Sequence, residues 1–371
     1  MRWIERVNAR FWERVSISTA PVLQGLGILR ILSGAFLLLF AAPYSSWIDS
    51  VPPGFFNPPA LSVTRLLPGF PPPPVLIVLD VVALALACCM MLGIRARATT
   101  VGVVLSNVLG LSYVYSFGKI DHDILLWVFL ACMAFSGWGR SLALVPDRES
   151  RFDAPERSFA LLGVLLAFAM SSVGFQKALS WLDFDLGTGG FLSWFLYGYL
   201  EYGRRELLAP LVYELPWSSF ELLDYTAVVF ELGCMFALLR GRVAWKFWLA
   251  AVGGFHTINT LVLNIPFIPY WPVYLAFVDF SRVQQAVERS WNLGWVRIGL
   301  VSFVAVLGSA HVWLRIRGSG SAFLLVVDRV RDNRIVLYAS LALWVVATTI
   351  LLAELRLALR RRRAAAPNLA T

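Results

Sequence analysis

With 371 residues, of which 58% are hydrophobic and only 15% charged, the chain is too apolar for an ordinary water-soluble domain, where about a quarter of side chains are charged. Its net charge of +9 could suit a nucleic-acid binder, but a basic excess also marks multi-span proteins with basic cytoplasmic loops, and the apolar composition favours that reading, with no nucleic-acid partner. Cys88, Cys89, Cys132 and Cys234 all sit inside apolar runs without metal-ligand spacing, which excludes a disulfide framework or zinc site as the simplest account and leaves small packing residues.

In chain order, residues 1–21 come first. Arg2, Arg6, Arg10 and Arg14 recur every four residues among Trp3, Ile4, Phe11 and Trp12, which predicts an amphipathic helix lying in the membrane interface, not a cleaved leader. Apolar runs follow at 22–42, 75–93, 98–117, 122–138, 158–177, 220–239, 243–264, 266–280, 297–314 and 335–355. At ~1.5 Å per residue, most of these runs cross much of a ~30 Å hydrocarbon layer. The eighth is short and broken by proline. The expected fold is therefore all-α, a polytopic transmembrane bundle of about ten spans. Residues 22–285 form the main bundle, 286–355 add C-terminal spans and 356–371 make a basic tail. Most of the 32 Lys and Arg fall on one side if the N-terminus is inside, so both termini are expected to be cytoplasmic, in the cell membrane. Residues 315–334 disagree, because Arg315, Arg317, Arg329, Arg331 and Arg334 then lie outside; either a nearby span is miscounted or Ala322 to Val327 dips into the membrane. Two outer segments read as structured: Pro43 to Pro74 as a compact proline-rich cap without helix, and Gly187 to Trp217 as an aromatic interfacial helix.

Ionisable groups at membrane depth cost ~2.5 to 3.5 kcal/mol on insertion scales, so each requires a reason. Arg30 and Asp80 read as a structural ion pair or as snorkelling side chains, and Asp224 and Glu231, two turns apart on one face, as glue if paired with arginines. His256, Asn259, Thr260 and Asn264 form one polar stripe, which lines a ligand cavity or makes interhelical hydrogen bonds. Asp121 and Asp123 suit a helix N-terminus, but His122 between them can accept or donate a proton near neutral pH. Lys177 is one of only three lysines in an arginine-rich chain; unlike Arg it can lose its proton when desolvated, although snorkelling explains its position equally well. His122, Lys177 and Asn264 are expected at one depth, where they could share a cavity in the outer half.

The segments GKIDHDILLWVFLACMAFSGWGRSLALVPD, VGFQKALSW and FHTINTLVLNIPFIPYWPVYLAFVDF together resemble the HTTM (horizontally transferred transmembrane) family, whose best known relatives are the vitamin K-dependent gamma-carboxylases. The opening GILRILSGAFLLLF is similar to that family's first span, and the resemblance covers roughly residues 22 to 285. It implies that Lys177 deprotonates a reduced quinone, whose oxygenated anion is the strong base of carboxylation, and that His122 assists the later step. The family pattern has Asn before and Ser-Tyr after this histidine, where the present chain has Asp on both sides. No lumenal substrate-holding domain follows the last span, so the expectation narrows to an outer-leaflet pocket for a quinone-like or other lipid-soluble molecule. The expected catalytic residues are thus Lys177 and His122, with His256, Asn259 and Asn264 binding substrate, no metal, and a reduced quinone as the implied cofactor. The lipid bilayer is the expected partner, and no protein partner is indicated. The competing expectation is a non-catalytic membrane subunit or a small-molecule carrier.

Overall fold

A computed structural model describes residues 2–60, 62–117, 123–183, 185, 189–317, 320–324 and 333–365. In chain order its α-helices are α1 (Arg2–Thr19), α2 (Leu26–Phe40), α3 (Pro73–Leu92), α4 (Ala96–Val114), α5 (Ile124–Met133), α6 (Pro155–Trp181), α7 (Gly190–Leu196), α8 (Ala209–Tyr213), α9 (Ser218–Arg240), α10 (Arg242–Leu263), α11 (Trp271–Leu275), α12 (Ser281–Trp291), α13 (Trp295–Ile316) and α14 (Asn333–Ala365). Short 3-10 turns join several of them, and no β-strand occurs among the described residues.

Among the described residues six stretches are long and apolar enough to cross a membrane: Leu23–Phe40, Pro73–Leu92, Pro155–Trp181, Ser218–Arg240, Trp295–Ile316 and Arg334–Ala364. The count of ten is not reached among the described residues. The runs at 98–117 and 243–264 do form helices, α4 and α10, but Arg97 and Asn107 in one and Lys246, His256 and Asn259 in the other lower their apolarity. The run at 122–138 shortens to the ten-residue α5. The run at 266–280 is not a helical span: it holds the turn Ile268–Tyr270 and the five-residue α11, because Pro266, Pro269 and Pro272 each withhold an amide donor.

The chain divides into two compact units, one comprising Met1–Ala20, Phe159–Val278 and Asn333–Thr371, the other Pro21–Ser158 and Asp279–Asp332. The second unit holds α2, α3 and α4 side by side, with α13 against α3. Pro73 and Pro74 open α3, where missing amide donors cost nothing, and Gly93 closes it at φ 70, a left-handed conformation that suits a residue without Cβ. Arg30 and Asp80 do not pair with each other. Fully buried Arg30 donates from Nη1 to the carbonyls of Trp138 (2.7 Å) and Ser141 (3.0 Å) and from Nη2 to Leu142 (2.6 Å), satisfying the turn that follows α5. Asp80 accepts from the amides of Ser45 (2.6 Å) and Ser46 (3.0 Å), and its ionic neighbour is Arg315, whose Nε lies 3.7 Å away. Arg315 is therefore not a loop residue outside the bundle. It is buried in the last turn of α13 and also donates to the Pro43 carbonyl at 2.6 Å. Nearby, the 320–324 segment folds back on the end of α2 through the bonds Ala42 N to Ala322 O and Leu324 N to Leu39 O.

The proline-rich segment after α2 contains no α-helix among its described residues, only 3-10 turns at Ser46–Ser50, Pro53–Phe55 and Val63–Leu66. Ile48, Leu76 and Tyr113 pin it, with Trp47, Phe56 and Phe70 around them.

In the first unit, α14 lies along α10, and the C-terminal half of α1 packs on α9, where Ser18 Oγ donates to the Leu238 carbonyl at 2.6 Å. The N-terminal half of α1 leaves Trp3 and Ile4 exposed. The aromatic segment 187–217 is not one interfacial helix. It breaks into α7, a π-turn at Tyr197–Glu201 and the five-residue α8. Residues 356–365, expected as a tail, continue α14 as helix.

Candidate functional site

Gly174 determines how closely α6 approaches α9. A Cβ there would meet Glu231 Cβ at 2.8 Å and the Leu232 nitrogen at 3.0 Å, so only hydrogen fits. Lys177, three residues on, occupies the same face of α6 and is delivered to Glu231. Its Nζ donates to Glu231 Oε1 at 2.5 Å and sits 4.7 Å from the centre of the Trp181 ring. The lysine side chain is 21% exposed and the glutamate 5%, so the two charges interact with little water between them. Removing one member of such a buried pair typically costs ~3 to 5 kcal/mol. The second oxygen, Glu231 Oε2, is buried and has no hydrogen-bond partner among the described residues.

Asp224 and Glu231 share a face of α9, but among the described residues neither pairs with an arginine. Asp224 accepts from the amides of Gly190 (3.0 Å) and Phe191 (2.7 Å), supplying from another helix the capping that α7 lacks locally.

The stripe on α10 is buried throughout: His256, Asn259, Thr260 and Asn264 are each at most 8% exposed. His256 shares a hydrogen bond of 3.1 Å with the Tyr274 hydroxyl of α11 and stacks on Trp344 of α14 at 4.4 Å and on Tyr270 at 5.4 Å. Tyr274 also lies within electrostatic reach of Glu231. Lys177 with Glu231 and His256 with Tyr274 thus form two hydrogen-bonded polar pairs inside the first unit. Asn264 serves another purpose. It ends α10 in the left-handed conformation at φ 51, accepts from the Glu206 amide at 2.8 Å and donates to the Glu206 carbonyl at 3.1 Å, which braces the loop before α8. His122 lies outside the described residues, and with it the expected convergence on Lys177.

Glu231 and Tyr274 are the site members that sequence reasoning did not assign. Gly174 in the same helical register as Lys177 was the available signal for the first; for Tyr274, embedded among other aromatics, the sequence carried none. Among the described residues no three His, Cys, Asp or Glu side chains come together as a metal site. The helical architecture and six helices both long and apolar enough to cross a membrane among the described residues define an all-α protein of membrane type. Comparison with protein-family models, with curated proteins and with solved structures returns no match.

Proposed function

We propose that the protein is a multi-pass cell-membrane enzyme of the carboxylase-like kind its sequence resembles, acting on a reduced quinone or another lipid-soluble hydroxyl compound. Lys177 and Glu231 are its proton-handling pair. The observation that carries this reading is the orphaned Glu231 Oε2 beside Lys177 Nζ: a buried acceptor and a half-buried donor, both available to one hydroxyl group. A reduced quinone would supply that acidic hydroxyl and two electrons. Lys177 can accept a proton at Nζ once its own has passed to Glu231 along their single hydrogen bond. Arginine in place of Lys177 would hold the charge but could not act as that base. The concentration of Lys and Arg in alternate connecting segments supports a cytoplasmic placement of both termini, which six crossings would allow.

The test uses the full chain in liposomes carrying a reduced naphthoquinone, with oxygen-dependent consumption of the quinol followed optically. Wild type should consume it, and Lys177→Arg, still folded and inserted, should lose on the order of 10² to 10⁴-fold in rate. Undiminished consumption by Lys177→Arg, or none by wild type, overturns the proposal.

A second reading, a non-catalytic subunit or small-molecule carrier, is favoured by the internal hydrogen bonding of the α10 stripe, which leaves Asn264 and Thr260 engaged with protein. It predicts no quinol consumption; a carrier would also show transport that is lost in Asn259→Leu.

A further inference from the structure

Between α9, α10 and the end of α14, the first unit carries a groove of about 780 Å³. Its walls are apolar: Phe236 and Phe247 are largely exposed there, Trp248 stacks on Phe230, and Gly233 lies between the α9 side chains. Its mouth is basic, formed by Arg240, Arg242 and Arg362. Among the described residues none of these three has a carboxylate partner. Arg240 and Arg242 flank Gly241, whose φ of 120 reverses the chain directly from α9 into α10 and leaves both arginines at the same end. A second cavity of about 210 Å³, lined by Arg242, Arg361 and Arg362, shares Arg242 and Arg362 with this mouth, and there the carboxylate of Glu354 is already held by Lys246 at 3.1 Å.

The dimensions fit one leaflet. From Arg240 back to Val229, at the far end of the lining, α9 rises about 16 Å at ~1.5 Å per residue, close to half of a ~30 Å hydrocarbon core. A basic rim at headgroup level with an apolar trough one leaflet deep is complementary to a molecule with a phosphate at one end and an acyl chain at the other. We propose that this groove is a binding site for an anionic phospholipid of the leaflet on the side of the C-terminus, its phosphate held by Arg240, Arg242 and Arg362 and one acyl chain laid along Phe236, Gly233 and Phe230. Basic pockets between membrane helices recognise anionic headgroups through the same charge-assisted bonds. The site is independent of the Lys177 chemistry.

Full-length protein in mild detergent is titrated with phosphatidylglycerol or with phosphatidylcholine of identical chains, and retained lipid is counted by native mass spectrometry. Phosphatidylglycerol should be retained and phosphatidylcholine lost. Arg240→Gln combined with Arg362→Gln should weaken phosphatidylglycerol retention about tenfold or more. Gly233→Leu should weaken it comparably with every arginine in place, because a Cβ at that position meets no heavy atom within 4 Å and the added side chain starts in the open space of the groove. Val229→Trp, at a position 69% exposed, serves as a second filling variant should the first fail to fold. Equal retention of both lipids, unchanged retention in the folded filling variant, or displacement of the lipid by inorganic phosphate alone would each overturn the assignment.

Discussion

Arg30 is a fully buried charge in the second unit, and it earns its place through geometry. Three carbonyls of one turn, those of Trp138, Ser141 and Leu142, converge on its two terminal nitrogens, a fork that lysine cannot reproduce. Bonds to charged groups contribute ~1.5 to 3 kcal/mol each, so Arg30→Lys should lower the thermal unfolding midpoint of the solubilised protein by several degrees; an unchanged midpoint would show that the fork is dispensable. A second residue sets the acid limit. Asp153, 3% exposed at its side chain, loses solvation on burial, but hydrogen bonds from Arg140, Arg97 and the Ser150 amide outweigh that loss and hold its carboxyl below the usual carboxylate range. A lowered native value stabilises the fold above the unfolded value of ~3.9, and that contribution fades as pH falls through the native one. Unfolding midpoints measured from pH 6 downward should therefore drop below about pH 4, and Asp153→Asn should be less stable at pH 6 but flatter across that range. Parallel curves for the two proteins would contradict this.

At the scale of helices, the contact of α6 with α9 decides whether Lys177 meets Glu231. Gly174→Leu would drive the leucine side chain into Glu231 and the α9 backbone, overpacking that costs ~1 to 3 kcal/mol and separates the pair. A cysteine-free double variant bearing Gln176→Cys and Leu232→Cys should cross-link readily with a short bifunctional reagent in the Gly174 background and poorly with Gly174→Leu. Equal cross-linking would mean that the glycine does not govern the approach. Long helices were legible in the sequence because hydropathy alone specifies them: α3, α9 and α13 lie within a few residues of the runs that announce them. Partners were not legible. Arg30 and Asp80 look complementary on paper, yet one satisfies carbonyls and the other amides, since backbone groups left over at helix ends are invisible in a list of side chains. The aromatic segment after α6 failed for a related reason: Tyr, Trp and Phe signal an interface but do not specify continuous helix, and the π-turn at Tyr197–Glu201 interrupts it. The polar stripe of α10 was legible as facing away from lipid, but the apolar positions around it were not ranked: Leu261 is half-buried and its carbonyl accepts from the Leu208 amide, while Ile258 is exposed.

For the molecule as a whole, the distribution of basic residues and an even span count make a topological prediction. In a background with the four native cysteines replaced, Asn8→Cys and Arg360→Cys should react with an impermeant thiol reagent from the same side of the membrane, and Leu66→Cys from the other. Labelling of Asn8→Cys and Arg360→Cys from opposite faces would require an odd number of crossings. The order in which the chain is made matters as well. The first unit is assembled from three separated segments, and α14, which covers α10 and places Trp344 on His256, belongs to the last of them. Trp344 leaves the ribosome about 90 residues after His256, which at ~5 to 20 residues per second is a delay of roughly 5 to 18 s. Throughout that interval the imidazole, Gly253 and Thr257 of α10 lack the wall that completes them. A chain interrupted near residue 332 would therefore be a nascent protein with an open polar seam in lipid, the sort of surface that insertion machinery must shield and quality-control proteases recognise.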